Sequence, residues 1–413
     1  MVLLGLLFLI SVVTYIDRVN ISVTARQMMP AFGLTNQDIG QVFSAFVLGY
    51  ALCQIPGGWL GDRWGARIVL TAALLWWSLF TGLTALAGTW PFAGLMGITG
   101  SLLLTRFMLG IGEAAALPNF NRAVADWVPS HRRGLGIGIA IGGIGVGAAI
   151  TPPLAAWIMV NWGWQVVFYL CSGLGLLVAL LWTIAARDRS PAPPQSRPAL
   201  SALSAPTKKA IPRAPWRRIA GHTTVRWLVL SYSCLGYVAY VYMSWFYLYL
   251  VNVRGFDVLR GGWFASAPFL AILFFCPLGG WLTDRLVTKR GLAKGRMVVG
   301  MAGMLLAGAA IAVGGLAASP AVAIIALSLG AGWLYFSVGA YWASTTDLSK
   351  AHAGTLSGLM NTGANLGGAI SPSLTPWIAD QWGWAAALGA AAAVAITGGA
   401  MWVKIDPEQS LGD

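Results

Sequence analysis

Charge is what this chain has least of. Only 9% of its 413 residues are Asp, Glu, Lys or Arg, against 57% hydrophobic residues, and the mean hydropathy is +0.72. A water-soluble domain of this length does not have such a composition. Acidic side chains are the scarcest of all, 13 against 26 basic ones. Histidine occurs three times, as His131, His222 and His352, each in or beside a loop. The four cysteines, Cys53, Cys171, Cys234 and Cys276, fall in four different apolar segments with no C-x-x-C spacing. They read as small hydrophobes rather than metal ligands. Walker loops, H-E-x-x-H and G-x-S-x-G are also missing, so no catalytic residue, metal or cofactor is expected and an enzyme is excluded.

Long apolar runs are what the chain has instead. Twelve occur, at roughly 2–24, 38–60, 67–88, 94–121, 134–158, 163–186, 224–252, 261–283, 296–317, 320–346, 354–379 and 382–404. Each can cross a hydrocarbon core of about 30 Å. The first run carries Asp17 and Arg18 and has no basic leader, so it reads as a span and not as a signal peptide. The net charge of +13 is explained by placement rather than by nucleic acid. Arg63, Arg67, Arg132, Arg133, the basic stretch from Arg187 to Arg218, and Arg285 to Arg296 fall on one side, while Arg26, Arg254 and Arg260 fall on the other. Lys/Arg bias marks the cytoplasmic face, which predicts both termini inside. The Pro-, Ser- and Arg-rich residues 187–222 read as a cytoplasmic linker between residues 1–186 and 223–413. Its end, around Trp216 to Ile219, suits a short amphipathic segment at the membrane surface.

The two halves are related to each other. Residues 134–164 and 354–384 align without gaps and share 13 of 31 positions, including Gly147/Gly367, Pro152/Pro372, Trp157/Trp377 and the W-G-W of Trp162–Trp164 and Trp382–Trp384. Gly57-Gly58-Trp59-Leu60-Gly61-Asp62-Arg63 is mirrored by Gly279-Gly280-Trp281-Leu282-Thr283-Asp284-Arg285. Parallel repeats of six spans place a binding site at their interface, near the bilayer midplane. On these residues, and on Gly58-x-Leu60-x-Asp62-Arg63-x-Gly65-x-Arg67 above all, the chain resembles the major facilitator superfamily. That resemblance implies an all-α membrane protein of twelve transmembrane helices in two pseudo-symmetric six-helix bundles, expected here as a monomer. It further implies that Asp62, Arg63 and Arg67, with Asp284 and Arg285 in the second copy, form a cytoplasmic charge cluster that gates the carrier. The second copy lacks the glycine that follows in the first.

A narrower resemblance rests on Tyr15-Ile16-Asp17-Arg18-Val19-Asn20, on Gln54-Ile55-Pro56-Gly57-Gly58, and on Arg106 with Glu113 seven residues later. In that order these motifs resemble the anion:cation symporter family, which carries hexuronates, galactonate, glucarate, glutamate and sialic acid. The resemblance implies a substrate contact at Tyr50, another at Trp342, and proton coupling through Asp17 as well as Glu113.

Asp17, Arg18, Arg106 and Glu113 are the four charges deep inside predicted spans. Intramembrane charges mark transport pathways because their burial is costly unless they face a partner or an aqueous cavity. Arg106 and Glu113 share a helix face, two turns or about 10 Å apart. Guanidinium groups clamp carboxylates with two parallel hydrogen bonds, so Arg18 and Arg106 are candidate anchors for a substrate carboxylate. A permanent ion pair between helices is the structural alternative. Asp17 and Glu113 are the candidate proton carriers, with protonation of Glu113 expected to free Arg106 for the anion.

Further pocket candidates are Asn361 and Asn365, one turn apart, where Asn365 replaces Gly145 of the first half; interhelical hydrogen bonding is the alternative. The cluster Tyr237, Tyr240, Tyr242 and Trp245 is expected to line the cavity in part, and most of the 21 Trp to lie at membrane interfaces or in packing. The expected function is import of a small organic anion, a sugar acid first, together with protons. Aromatic or dicarboxylic acids are the alternative, and a drug/proton antiporter is less well supported, since export of an amphipathic drug does not call for two buried arginines.

Overall fold

Inside a bilayer every backbone N–H and C=O has to be satisfied within the protein, which leaves helices or closed barrels. The computed structural model describes residues 2–89, 91–127, 133–186, 216–349 and 353–409, and they are helical almost throughout. The first half contains α1 (Val2–Phe32), α2 (Asn36–Trp64), α3 (Ala66–Thr84), α4 (Phe92–Glu113) in line with α5 (Ala116–Trp127), α6 (Arg133–Trp162) and α7 (Trp164–Ala185). In the second half a short α8 (Trp216–Gly221) precedes α9 (Thr223–Leu248), which a π-turn extends through Tyr249–Val253. There follow α10 (Val258–Ala265) in line with α11 (Ala267–Arg290), α12 (Leu292–Leu316), α13 (Pro320–Phe336) in line with α14 (Val338–Leu348), and α15 (Ala353–Ala400). Gly383, at φ +83°, breaks α15 into two passes, so each half has six spans.

Three spans that the sequence suggested were continuous are interrupted. The fourth breaks between α4 and α5, the eighth at Ser266 and the tenth at Ser337. The eighth also runs on to Arg290, beyond the expected 283. Of the linker, residues 187–215 lie outside the described residues. Its end forms α8, with Ile219 buried and Arg217 and Arg218 exposed.

Polar caps and glycines set where spans turn. Thr35 starts α2 with a reciprocal cap: its hydroxyl accepts from the Asp38 N–H at 3.1 Å, and Asp38 accepts from the Thr35 N–H at 2.9 Å. Among the described residues seven glycines have positive φ, and six of them form three repeat pairs: Gly33 with Gly255, Gly163 with Gly383, and Gly65 with Gly291. The last pair corrects one reading of the sequence. The turn glycine of the second copy is displaced rather than lost, because α11 continues one helical turn further before Gly291.

The halves meet through a pseudo-two-fold contact at the end remote from Arg63 and Arg285. Gly40 of α2 lies against the Pro372 carbonyl and Pro376 of α15; Gly262 of α10 lies against the Pro152 carbonyl and Ala156 of α6. Gly40 and Gly262 are separated by the 222 residues that relate Gly57 to Gly279, so the two contacts are copies of each other. One turn on, the copies repeat as serines. The Ser44 and Ser373 hydroxyls share a hydrogen bond at 2.8 Å, and Ser266 donates to the Ala149 carbonyl at 2.5 Å. Asn36 donates to Asp380 at 3.1 Å beyond them. Glycine is required where backbone meets backbone this closely.

Candidate functional site

The α1 helix carries Asp17 and Arg18 on adjacent positions, which a helix turns about 100° apart. The two side chains therefore go to different places. Asp17 is fully buried inside the first half, beside Thr81 of α3 and Cys171 of α7. One of its carboxylate oxygens takes a long 3.5 Å hydrogen bond from Asn20, and the other has no hydrogen-bond partner among the described residues. Its backbone carbonyl accepts from both terminal nitrogens of Arg106, each at 3.3 Å. Arg18 turns instead toward the second half. Its Nε donates to Glu113 at 2.7 Å, and its guanidinium lies over the rings of Tyr50 at 4.3 Å, Tyr15 at 5.0 Å and Phe46 at 5.3 Å. Cation–π contacts of this kind hold an arginine in place while it stays charged.

This corrects the expected pairing. Glu113 has its salt bridge with Arg18 on α1, not with Arg106 on its own helix. The two-turn spacing on α4 was too long for a direct contact, and Arg18 crosses from α1 to fill it. Arg106 is 1% exposed and lies 5.3 Å from the Phe46 ring. Tyr50 joins the site through Arg18.

Arg18 and Arg106 line a cavity of about 20 Å³ between the halves, together with Ser22 of α1 and Tyr240, Met243 and Ser244 of α9. That is room for one water. Of the tyrosine-rich cluster, only Tyr240 lines this cavity. Tyr242 donates to the Leu327 carbonyl at 2.7 Å and Trp245 to the Pro372 carbonyl at 3.0 Å, so both are engaged in packing. Ser22 and Ser244 were not foreseen; Ser22 lies four residues after Arg18, and that spacing was the available signal.

The other pocket candidates are elsewhere. Asn361 donates to Gln54 of α2 at 3.3 Å, and Asn365 donates back to the Asn361 carbonyl at 3.1 Å. Asn361 thus makes the contact between halves that interhelical bonding predicts. Trp342 donates to the Tyr232 hydroxyl at 2.9 Å and is 42% exposed. Neither amide nor this indole lines the cavity between the two arginines.

At the basic end the expected charge cluster is rearranged. Arg63 and Arg285 are exposed and lie over Trp59 at 5.5 Å and Trp281 at 5.1 Å, a second pair of repeat copies. Arg285 thus stands over an indole, while Asp284 and Asp347 of the second half pair with another arginine. The buried Arg296 bridges Asp284 at 2.9 Å and Asp347 at 3.0 Å. Sequence reasoning missed Arg296 because the repeat holds no arginine at its equivalent: counted from Gly65 and Gly291, Arg296 stands where the first half has Leu70. In the first half Arg67 donates to the Thr183 carbonyl at 2.8 Å. The Asp62 side chain lies outside the described residues, as do His131, Arg132 and His352.

Comparison with known proteins agrees with this architecture. The model of the Major Facilitator Superfamily matches residues 7–372. A probable sulfoacetate transporter of Cupriavidus necator is 34% identical over 92% of this chain and 87% of its own. The hexuronate transporter of Bacillus subtilis is 31% identical over 91% and 87%, and a D-galactonate transporter of Escherichia coli 30% identical over 97% and 94%. Among solved structures, a bacterial homologue of the human lysosomal transporter Spinster, inward-facing and occupied, superposes with a TM-score of 0.78 at 21% identity, covering 97% of this chain and 95% of that one. A D-xylose–proton symporter gives 0.80 at 16% identity, covering 100% and 99%. These two show the fold, twelve helices in two bundles. The protein is a multi-pass membrane transporter and not an enzyme. The chain belongs to the Major Facilitator Superfamily, among its organic-anion transporters of the anion:cation symporter type.

Proposed function

We propose that this protein is a proton-coupled symporter that imports a small carboxylate, a sugar acid first, by rocking its two halves about a central site. The observation that carries this reading is Arg18, which lines the cavity between the halves while Glu113 holds it at 2.7 Å. Removing one member of a buried ion pair costs about 3–5 kcal/mol, because the other charge is left unpaired. Arg18 therefore stays with Glu113 until a substrate carboxylate takes its place or a proton neutralises Glu113. Protonation of Glu113 and binding of the anion favour each other, which is the thermodynamic requirement for symport. Arg106 supplies the second positive charge, and Asp17, inside the first half, is the second proton carrier.

The paired glycine contacts seal the end remote from the basic loops. Placing those loops in the cytoplasm, as the Lys/Arg bias requires, makes this an arrangement with its outer side closed, both termini inside and residues 187–222 as the linker between halves. The charge groups Asp62, Arg63, Arg67, Asp284 and Arg285, joined by Arg296 and Asp347, then stand at the cytoplasmic gate. A bacterial inner membrane is the proposed location. Short sulfonates form a second substrate reading, favoured by the 34% identical sulfoacetate carrier.

The test is uptake into liposomes of purified protein under an inward proton gradient, against sugar acids, sulfoacetate, aromatic acids and dicarboxylates. Acid-driven accumulation of one anion, abolished by a protonophore, is the expected result. Accumulation that ignores the gradient would remove the coupling role of Glu113 and Asp17.

A further inference from the structure

At the basic end, the two ends of the second half meet. The short α8 leads into α9, and the chain beyond α15 folds back against the same helix, where the Thr224 hydroxyl donates to the Asp406 carbonyl at 3.3 Å. Ile219 fixes α8 because it is fully buried, while Arg217 and Arg218 stand exposed. A helix turns 100° per residue, so Arg217 lies nearly opposite Ile219. Arg226, in the first turn of α9, donates to the Ala220 carbonyl at 2.5 Å and ties the two helices together. The returning chain is fixed by Trp402, buried edge-on against Tyr341 at 4.7 Å, and by the buried Ile405. Between them the exposed Lys404 holds its ammonium group 5.0 Å over the ring of Trp227.

Four cations from three separate stretches are thereby fixed around the start of α9. Among the described residues none of them makes an ion pair. The acids beside Lys404 in sequence are engaged elsewhere. The Asp406 carboxylate accepts from the Glu408 N–H at 3.0 Å and from the Gln409 amide at 3.3 Å, and the Glu408 carboxylate accepts from the Ala293 N–H of α12 at 3.2 Å. Like charges repel unless an anion lies between them. The apolar neighbours show where that anion would stand. Leu230, one turn after Arg226 on the same face of α9, is exposed, as are Ile396 of α15 and Val403 beside Lys404. Exposed apolar side chains of a membrane span face lipid chains, so Arg226 and Lys404 stand where chains give way to headgroups. The half-buried Trp227 ring is at the same level, which is where interfacial tryptophans settle.

We propose that Arg217, Arg218, Arg226 and Lys404 form a binding site for the headgroup of an anionic phospholipid, of the class that carries two phosphates. Guanidinium forks match phosphate oxygens in pairs, and basic pockets at the cytoplasmic side of membrane helices bind such headgroups. A zwitterionic lipid brings its own cation and gains nothing from four more. The general bias of Lys and Arg toward one face calls for cations at this end, but not for three stretches fixed around one helix start. All four residues belong to the second half or to the short helix that opens it, so a lipid held here anchors that half without locking it to the first. The inference goes beyond the transport reading and does not depend on which anion is carried.

Titration of cardiolipin into the full-length protein in detergent, read by native mass spectrometry with phosphatidylcholine as the zwitterionic control, tests this. The wild type is expected to bind one cardiolipin with about 10-fold or greater preference over phosphatidylcholine. Each basic residue at a membrane surface accounts for about a 5-fold change in affinity. Arg217→Ser/Arg218→Ser should therefore weaken cardiolipin about 30-fold, and Lys404→Gln, at the other end of the half, about 5-fold. Both should keep phosphatidylcholine within about 2-fold, which reports that the variants are folded. Lys289→Ser/Arg290→Ser removes the same charge from the exposed end of α11 and should leave both lipids within about 2-fold. Equal weakening of cardiolipin by the two double variants would show only the general attraction of a basic face and overturn the site. A wild type without preference for cardiolipin would overturn it too, and so would an unchanged affinity in Arg217→Ser/Arg218→Ser.

Discussion

Replacing both interface glycines, Gly40 and Gly262, by leucine should open the sealed end of the carrier. A Cβ at Gly40 would overlap the Pro372 carbonyl oxygen and approach Pro376 at 3.1 Å; one at Gly262 would stand 2.9 Å from both the Pro152 carbonyl oxygen and Ala156. The obstructing atoms are largely backbone and ring atoms of helices that cannot turn aside like a flexible side chain. Overpacking of this kind costs about 1–3 kcal/mol per site. The cost falls only on the arrangement in which these helix ends touch, so it shifts the equilibrium toward the one in which they part. One such site changes the ratio of states by roughly 5- to 150-fold, at 1.4 kcal/mol per factor of ten. A cysteine placed at Asn36, which bonds Asp380 across the seal, reports the change once the four native cysteines are replaced. Maleimide labelling at Asn36 should rise at least 5-fold in the double variant, with uptake slowed because the seal no longer forms readily. An unchanged labelling rate in a variant that melts like the parent would refute the claim that these contacts hold the end shut.

Glu113→Gln should abolish accumulation driven by a proton gradient while exchange of labelled for unlabelled substrate continues; gradient-driven accumulation by the variant would exclude Glu113 as proton carrier. Arg18→Lys keeps the charge but loses the planar fork and the stacking over Tyr50, so anion affinity should fall about 10-fold, measured by titration. Arg296→Ala leaves the part-buried Asp347 and the Asp284 carboxylate without their shared partner and should lower thermal stability by about 1–3 kcal/mol. Arg285→Ala, at an exposed position over Trp281, should stay within about 0.5 kcal/mol of the parent.

Much of this molecule is written in its sequence because a bilayer leaves few options. Runs of about 20 apolar residues have to be helices when no water is present to satisfy the backbone, and duplicated glycines and tryptophans reveal two halves before any packing is known. The turn at Gly163 and its copy at Gly383 follow from local backbone conformation, which neighbouring residues dictate. The four buried charges were also legible, since their rarity inside apolar runs identifies them.

Partnership was not legible. Asp17 and Arg18 are adjacent in sequence, yet one enters the core of the first half and the other faces the second, because a helix turns 100° per residue. Glu113 meets Arg18 from another helix, not Arg106 from its own. Arg296 of α12, which stands where the first half has Leu70, takes the ion pairs expected of Arg285. Tyr240 was one of four aromatic residues expected near the cavity and Ser244 was not foreseen; packing gave Tyr242 and Trp245 partners and left Tyr240 and Ser244 lining the cavity. Composition and periodicity act along the chain and determine the spans, the repeat and the set of charges. Which side chains meet depends on helix rotation and crossing, which only the packed bundles decide.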